Sequence, residues 1–368
     1  MKTKKKAVLQ LCHNYKSPFF DVAQQYAQLF IDSPYQLITV YLTGKKDSQI
    51  LKQSLSEQTY FLEYQSKDLR GLKLKQIKQL KKIQVQYQFE FAIAHRYKAI
   101  YICCFLKNLK VFGVHHAFGG YNRLMRRLFV SYQTQNLMLL GVSNAIRDDI
   151  RKALPKFPQQ QIQTLYNRID IQNLTQRDKK TAREQLKLPY DAFIFANVGR
   201  LHPDKDQKTL ITAFASFSAQ NPQAILVILG QGRLECTLKQ QVKQLNIEHK
   251  IFFLGLIPNA IDYFKAFDCF VLSSDNEPFG MVLLEAISAQ IPIIATAAGG
   301  AQEIMTQKKW LFNVGDSPHL SQLLNKIIKL NQQDKHQIIQ QNQQYLEQNF
   351  SHQAVKPVFW KLQQWFCS

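Results

Sequence analysis

The sequence predicts an α/β protein made of two Rossmann-like domains, and three observations carry that prediction. A chain of 368 residues with 46% apolar content exceeds a typical single domain and supplies material for two cores. Short apolar runs of buried-strand type alternate with segments of helical periodicity, which is the pattern of parallel sheets covered on both faces. A polar stretch from Ile171 to Pro189, with Gln172, Asn173, Thr175, Gln176 and Arg177, interrupts the alternation near its middle.

In the first half, strands are expected at Ala7–Cys12, Gln36–Leu42, Glu90–Ala94, Leu109–Val114, Leu137–Gly141 and Gln161–Tyr166. In the second half, Phe193–Val198, Ala224–Leu229, Ile251–Leu254, Cys269–Leu272, Ile291–Ala295 and Leu311–Val314 read the same way. Each is rich in the apolar side chains that a strand covered on both faces requires. The expected organisation is an N-terminal domain at 1–170, a linker at 171–190, a second domain at 191–345 and a tail at 346–368. Glutamine dominates from Gln332 onward, yet the tail ends in Phe359-Trp360 and Trp365-Phe366. Aromatic rings of that size need burial, so a C-terminal helix is expected to pack back onto a domain. Ligands of such domains bind at the carboxyl ends of the strands, and a cleft between the domains is expected.

The longest apolar run, Ala99 to Leu106, reads as a core helix or strand and falls well short of the roughly 18 residues that a membrane span needs. The start is basic through Lys6 and apolar from Ala7 to Cys12, but Gln10 interrupts the apolar segment, so it reads as a first buried strand rather than a leader. Six cysteines, at 12, 103, 104, 236, 269 and 367, form no CxxC pair and read as reduced core thiols of a cytoplasmic protein.

Charge is distributed unevenly. Residues 1–170 hold 27 Lys and Arg against 10 Asp and Glu, a balance of +17, which leaves 20 against 16, or +4, for the rest of the chain. A basic half implies an anionic partner such as a phosphorylated glycolipid, an acidic membrane face or nucleic acid. Lys73, Lys75, Lys78, Lys81 and Lys82 at helical spacing also fit a plain solvated face.

The chemistry concentrates after the strands of the second half. Glu277-Pro278-Phe279-Gly280-Met281-Val282-Leu283-Leu284-Glu285 sets two carboxylates eight residues apart across a loop-to-helix junction. A helix beginning near Gly280 aims unpaired N–H groups and its positive dipole end at the loop, which suits a diphosphate. Glu285, on an otherwise apolar helix, must find a partner. A ligand hydroxyl pair would serve, and so would a core arginine. Gly199-Arg200 and Lys205 follow the first strand of this half; a forked donor and a point charge can neutralise a leaving diphosphate without a metal, although an ordinary basic turn explains them too. In the first half, His95 and His115-His116 close two strands. A zinc site there would lack a carboxylate or thiol at suitable spacing, so no metal is expected.

The stretch from Glu277 to Glu285, continued by Ile291-Pro-Ile-Ile-Ala-Thr296 and Gly299-Gly300-Ala-Gln-Glu303, resembles the donor-site signature of family 4 glycosyltransferases. The resemblance spans most of the chain and is strongest from Val198 to Glu303. It implies the GT-B fold and retaining glycosyl transfer from a nucleotide diphosphate sugar, with a UDP-sugar favoured and no cofactor. In the implied site Arg200 and Lys205 hold the donor phosphates. The amides around Gly280, Met281 and Val282 receive them as well. Glu277 meets the transferred sugar, Glu285 the ribose, and His116 faces the sugar.

The loop from Cys12 to Pro18 departs from the family, which carries a Gly-Gly pair there. His13 and Lys16 stand in that loop as candidates to contact an acceptor phosphate, with His95 as a third acceptor candidate. Arg168 likewise stands where the family carries glycine, so its turn must avoid positive φ or bear strain. With the basic first half, these features favour an anionic glycan or glycolipid acceptor, such as lipopolysaccharide core or another envelope polysaccharide, and peripheral contact with the anionic inner membrane surface. No nucleic-acid partner is expected, since no zinc-finger, RRM or basic-heptad pattern occurs. The alternatives are a GT-B sugar-nucleotide epimerase and a non-enzymatic basic protein that binds nucleic acid or membrane.

Overall fold

The computed structural model describes residues 5–16 and 19–367. Met1 to Lys4, Ser368, and Ser17 and Pro18 of the departing loop lie outside the described residues.

The first sheet contains β1 (Lys6–Cys12), β2 (Tyr35–Thr43), β3 (Gln58–Tyr64), β4 (Phe91–His95), β5 (Lys110–His115), β6 (Leu137–Gly141) and β7 (Ile162–Thr164) in the order β3-β2-β1-β4-β5-β6-β7. The second contains β8 (Phe193–Val198), β9 (Ala224–Leu229), β10 (Ile251–Gly255), β11 (Cys269–Leu272), β12 (Ile293–Thr296) and β13 (Leu311–Phe312) in the order β10-β9-β8-β11-β12-β13. Every pairing is parallel. Both sheets reverse their winding beside the first strand, the doubly wound pattern that leaves a ligand crevice at the carboxyl ends of the strands on either side of the reversal. Those strands are β1 and β4 in one sheet, β8 and β11 in the other.

The central strands are buried along their length, as their apolar runs require. The strand absent from the sequence expectation is β3. It lies at the sheet edge with only partial burial, so it lacks the continuous apolar run that marks the others. Ala99 to Leu106 resolves as the end of a helix, Arg96–Cys103, and the turn after it.

The chain divides into two compact units. One comprises the described residues up to Asn167 together with those from Val355 on; the other is Arg168–Ala354. The expected linker at 171–190 is not a free tether. Helix Lys179–Gln185 lies within it, and Arg183 is almost wholly buried. Arg183 donates to Asp268 Oδ2 (2.7 Å), to the carbonyls of Ala266 (2.8 Å) and Ala192 (3.1 Å), and to that of Tyr190. Asp268 also accepts from Lys179 Nζ (2.6 Å) and the Ile194 amide (2.8 Å). A polar composition thus concealed a hydrogen-bonded clasp. Arg168, in place of the family's glycine, is buried and is not among the residues at positive φ.

Two helices follow one another at the end of the described chain. Gln332–Asn349 stays with the second unit, and most of His352–Cys367 belongs to the first. Phe359 packs on Phe30 and Phe112 with ring centroids 5.8 Å away in each case, and Trp360 stacks on Tyr35 at 5.5 Å. The aromatic end of the chain completes the first unit's core.

Candidate active site

In the second unit the loops after β8 and β11 are tied together. Ser273 Oγ donates to the Lys205 carbonyl (2.8 Å), and the Asp275 amide to the Asp204 carbonyl (3.1 Å). These bonds carry Lys205 to Glu277: Lys205 Nζ donates to Glu277 Oε2 at 2.7 Å. Ser274 Oγ donates to the same oxygen (3.1 Å), and the Gly300 amide to the Glu277 carbonyl (2.9 Å). Glu277 is only 7% exposed, so it is a desolvated carboxylate fixed by a cation and a hydroxyl.

Gly280 follows at φ +108°, a conformation that L side chains rarely take, and it turns the chain directly into helix Met281–Ser288. No side chain caps this helix start, so its first amides remain directed at the loop. Met281, Val282 and Glu285 are half-buried along it. Gly230, in the turn after β9, has φ +132°, and a Cβ there would lie 1.9 Å from the Gly199 carbonyl oxygen. That glycine lets the β9 turn approach the β8 loop.

Arg200 behaves differently from Lys205. Its side chain is 68% exposed and pairs with Asp204 at 3.1 Å, while His202 Nδ1 lies 2.6 Å from the other Asp204 oxygen. Burial, with Asp206 and Asp204 nearby, raises the Asp275 carboxyl above its ordinary value. The structure thus joins Lys205, Glu277 and Gly280 and leaves Arg200 at the open end of the same loop.

In the first unit, His95 ends β4 and pairs across the ladder with Val114 of β5. His116 stands two residues beyond Val114 and so meets His95: His95 Nδ1 and His116 Nε2 share a hydrogen bond of 3.0 Å, with the rings stacked at 5.3 Å. His95 is 6% exposed. Burial and the neighbouring Arg96 push its imidazole down to about 3. Burial, His95, Arg96 and His115 hold His116 well below its usual value. Burial with Arg126 lowers His115 to about 4, and its Nε2 lies 2.9 Å from the Tyr121 hydroxyl. His13 is lowered too, by burial and then by Lys98 and Arg96.

A pocket of about 360 Å3 opens at this end of the sheet, lined by His13, His95, His116, Arg96, Lys98 and Arg126 among others. Lys16 is exposed; its amide donates to Asn14 Oδ1 (3.2 Å) and its carbonyl accepts from the Phe19 amide (2.8 Å). Arg96, Lys98 and Arg126 escaped the sequence reading. The signal available was the near absence of acids, since Leu69 to Arg147 contains a single one, Glu90.

Two parallel doubly wound sheets, each with loops converging at the carboxyl ends of its strands, define a GT-B protein. The fold matches a glycosyltransferase from Rickettsia africae at TM-score 0.85, with 15% identity over 99% of both chains. It also matches Anabaena HepE in complex with UDP-glucose at TM-score 0.79, with 20% identity over 97% of this chain and 99% of that one. Residues 178–345 match the model of the glycosyl transferases group 1. Among curated relatives, the N-acetyl-alpha-D-glucosaminyl L-malate synthase of Bacillus anthracis is 28% identical over 197 residues, 53% of this chain and 51% of that protein. The chain spans about half the length of the curated relatives it matches.

Proposed function

We propose that the protein is a retaining glycosyltransferase that moves a sugar from a nucleotide diphosphate sugar, preferentially a UDP-sugar, to a hydroxyl of an anionic glycan or glycolipid. The observation that carries this reading is the Lys205–Glu277 pair of 2.7 Å at the start of helix Met281–Ser288.

The difficult step is departure of an anionic nucleoside diphosphate while positive charge develops on the sugar. Lys205, Arg200 and the uncapped amides around Gly280, Met281 and Val282 supply fixed positive charge for the leaving group, with no metal required. Glu277, held by Lys205 and Ser274, is oriented for the transferred sugar, and Glu285 for the ribose. In a front-face route the departing phosphate accepts the acceptor's proton, so no carboxylate nucleophile is needed. His116 is assigned a part in the transfer, as a neutral imidazole that accepts or donates a hydrogen bond. His13, Lys16 and His95 are assigned to the acceptor.

The complex of a structural neighbour with UDP-glucose supports the choice of base, and a relative named for an L-malate product agrees with an anionic acceptor. Envelope glycolipid, lipopolysaccharide core in particular, is the acceptor class favoured by the basic first half. Contact with an anionic membrane surface is assigned to helix Leu124–Ser131. Leu124, Met125, Leu128 and the following Tyr132 are exposed there beside Arg123 and Arg127, a pairing of apolar and basic groups suited to acidic headgroups. Among the described residues no helix is long and apolar enough to cross a membrane.

A thermal-shift comparison of UDP, GDP, ADP and CMP tests the donor assignment. UDP at about 100 times its Kd stabilises by about 2.7 kcal/mol, and Lys205→Ala reduces that gain. Indifference to all four nucleotides would overturn the reading.

A further inference from the structure

The first unit's pocket carries positive charge that nothing around it answers. Arg96, Lys98 and Arg126 line it, and Lys73 stands behind them with its Nζ 4.4 Å from the centre of the Tyr101 ring. Among the described residues no carboxylate forms an ion pair with any of these four. Arg126 donates to the Gly120 carbonyl (3.0 Å) and lies over Tyr97; Arg96 lies over Phe19. Glu90, the acid nearest in sequence to Arg96 and Lys98, is committed to Lys6 at the amino end of β1 (2.8 Å). Asp149 reaches the pocket wall only to accept the Gly119 amide (2.9 Å). Burial and mutual repulsion depress the ammonium groups of Lys73 and Lys98.

Two further features point the same way. Helix Arg96–Cys103 begins at the pocket, its N-cap His95 offers no side-chain bond to the first turn, and no acid stands in that turn. Arg96 and Lys98 occupy it instead, at the end of the helix dipole that repels cations. His95, more than nine-tenths buried and lining the pocket, leaves its Nε2 without a partner. Amides without a side-chain cap and three cations at one cavity make a site suited to an anion.

We infer that this pocket binds a phosphate or diphosphate group, held by Arg96, Lys98, Arg126 and the first amides of helix Arg96–Cys103. The further assignment of that group to the acceptor rests on the transferase reading; anion binding itself does not.

Calorimetric titration of the full chain with inorganic pyrophosphate, in saturating UDP so that the second unit's sites are occupied, tests the inference. One saturable site is expected, weakened at least tenfold by the double variant Lys98→Gln, Arg126→Gln and unchanged by Lys205→Ala. Both glutamines keep part of the stem on half-exposed positions, and an unaltered circular dichroism spectrum verifies folding. Absence of saturable binding, survival of binding in the double variant, or its loss in Lys205→Ala would each overturn the assignment. If UDP fails to bind while pyrophosphate still does, the donor reading falls and this one stands. Repeating the titration with phosphatidylglycerol vesicles tells a lipid headgroup, whose binding the double variant weakens, from a soluble phosphate, for which vesicle binding is unaffected.

Discussion

The two units share one sheet winding and treat charge in opposite ways. In the second, ionised groups answer one another: Arg183 and Lys179 with Asp268, Arg200 and His202 with Asp204, Lys205 with Glu277. In the first unit's pocket, cations gather without a carboxylate partner among the described residues, around histidines kept neutral by burial. A surface that balances its own charge is organised before a ligand arrives, since its dipoles are already oriented. A surface that does not balance its charge is completed by one.

The largest effect comes from breaking the second unit's deepest pair. Asp268→Ala leaves Arg183 charged and buried, and such a break costs roughly 3–5 kcal/mol. Chemical denaturation should show the loss, and a midpoint close to the parent's would mean that the arginine's carbonyl partners suffice alone. Next is Glu277→Ala, which frees Lys205 and removes the fixed carboxylate; kcat is expected to fall on the order of 10²-fold or more with the fold intact. Unchanged turnover would reduce the pair to a structural tie.

The smallest effect sharpens the other side of the comparison. The folded imidazoles of His95 and His115 titrate near 3 and 4 against an ordinary value near 6.5, so between those limits the unfolded chain binds more protons and stability falls as pH drops. Above pH 6.5 the contribution is complete. Arg96, His13, Lys98 and Arg126 face the same pocket and stay cationic or add charge as pH falls, which deepens the loss. The Tm of the parent should therefore decline by a few degrees more between pH 6.5 and 4 than that of a His95→Gln, His115→Gln variant. Parallel curves would show that the histidines are not held neutral.

Much of this was legible from residue order alone. Strands buried on both faces announce themselves as apolar runs, so twelve of the thirteen were anticipated, with ends displaced by a residue or two. The edge strand β3 was missed because it is only partly covered. The helix of the supposed linker was missed because its stabilisation is a buried ion pair to a residue 85 positions away, which composition cannot show. Glu277 and Lys205 were found through their loops and a family resemblance; their contact, across 72 positions, required the ends of neighbouring strands β8 and β11 to be brought together. Arg96, Lys98 and Arg126 were read as part of a diffuse charge excess. Their convergence depends on β4 and β5 being neighbours, a fact of topology.

The helix His352–Cys367 places part of the first unit after all of the second in chain order. The segment Arg168–Ala354 is therefore joined in full before Phe359 is added, the residue that fills the space between Phe30, Phe91 and Phe112. A chain cut short before Val355 is expected to leave those rings uncovered, so the helix closes the first unit's core from the far end of the chain.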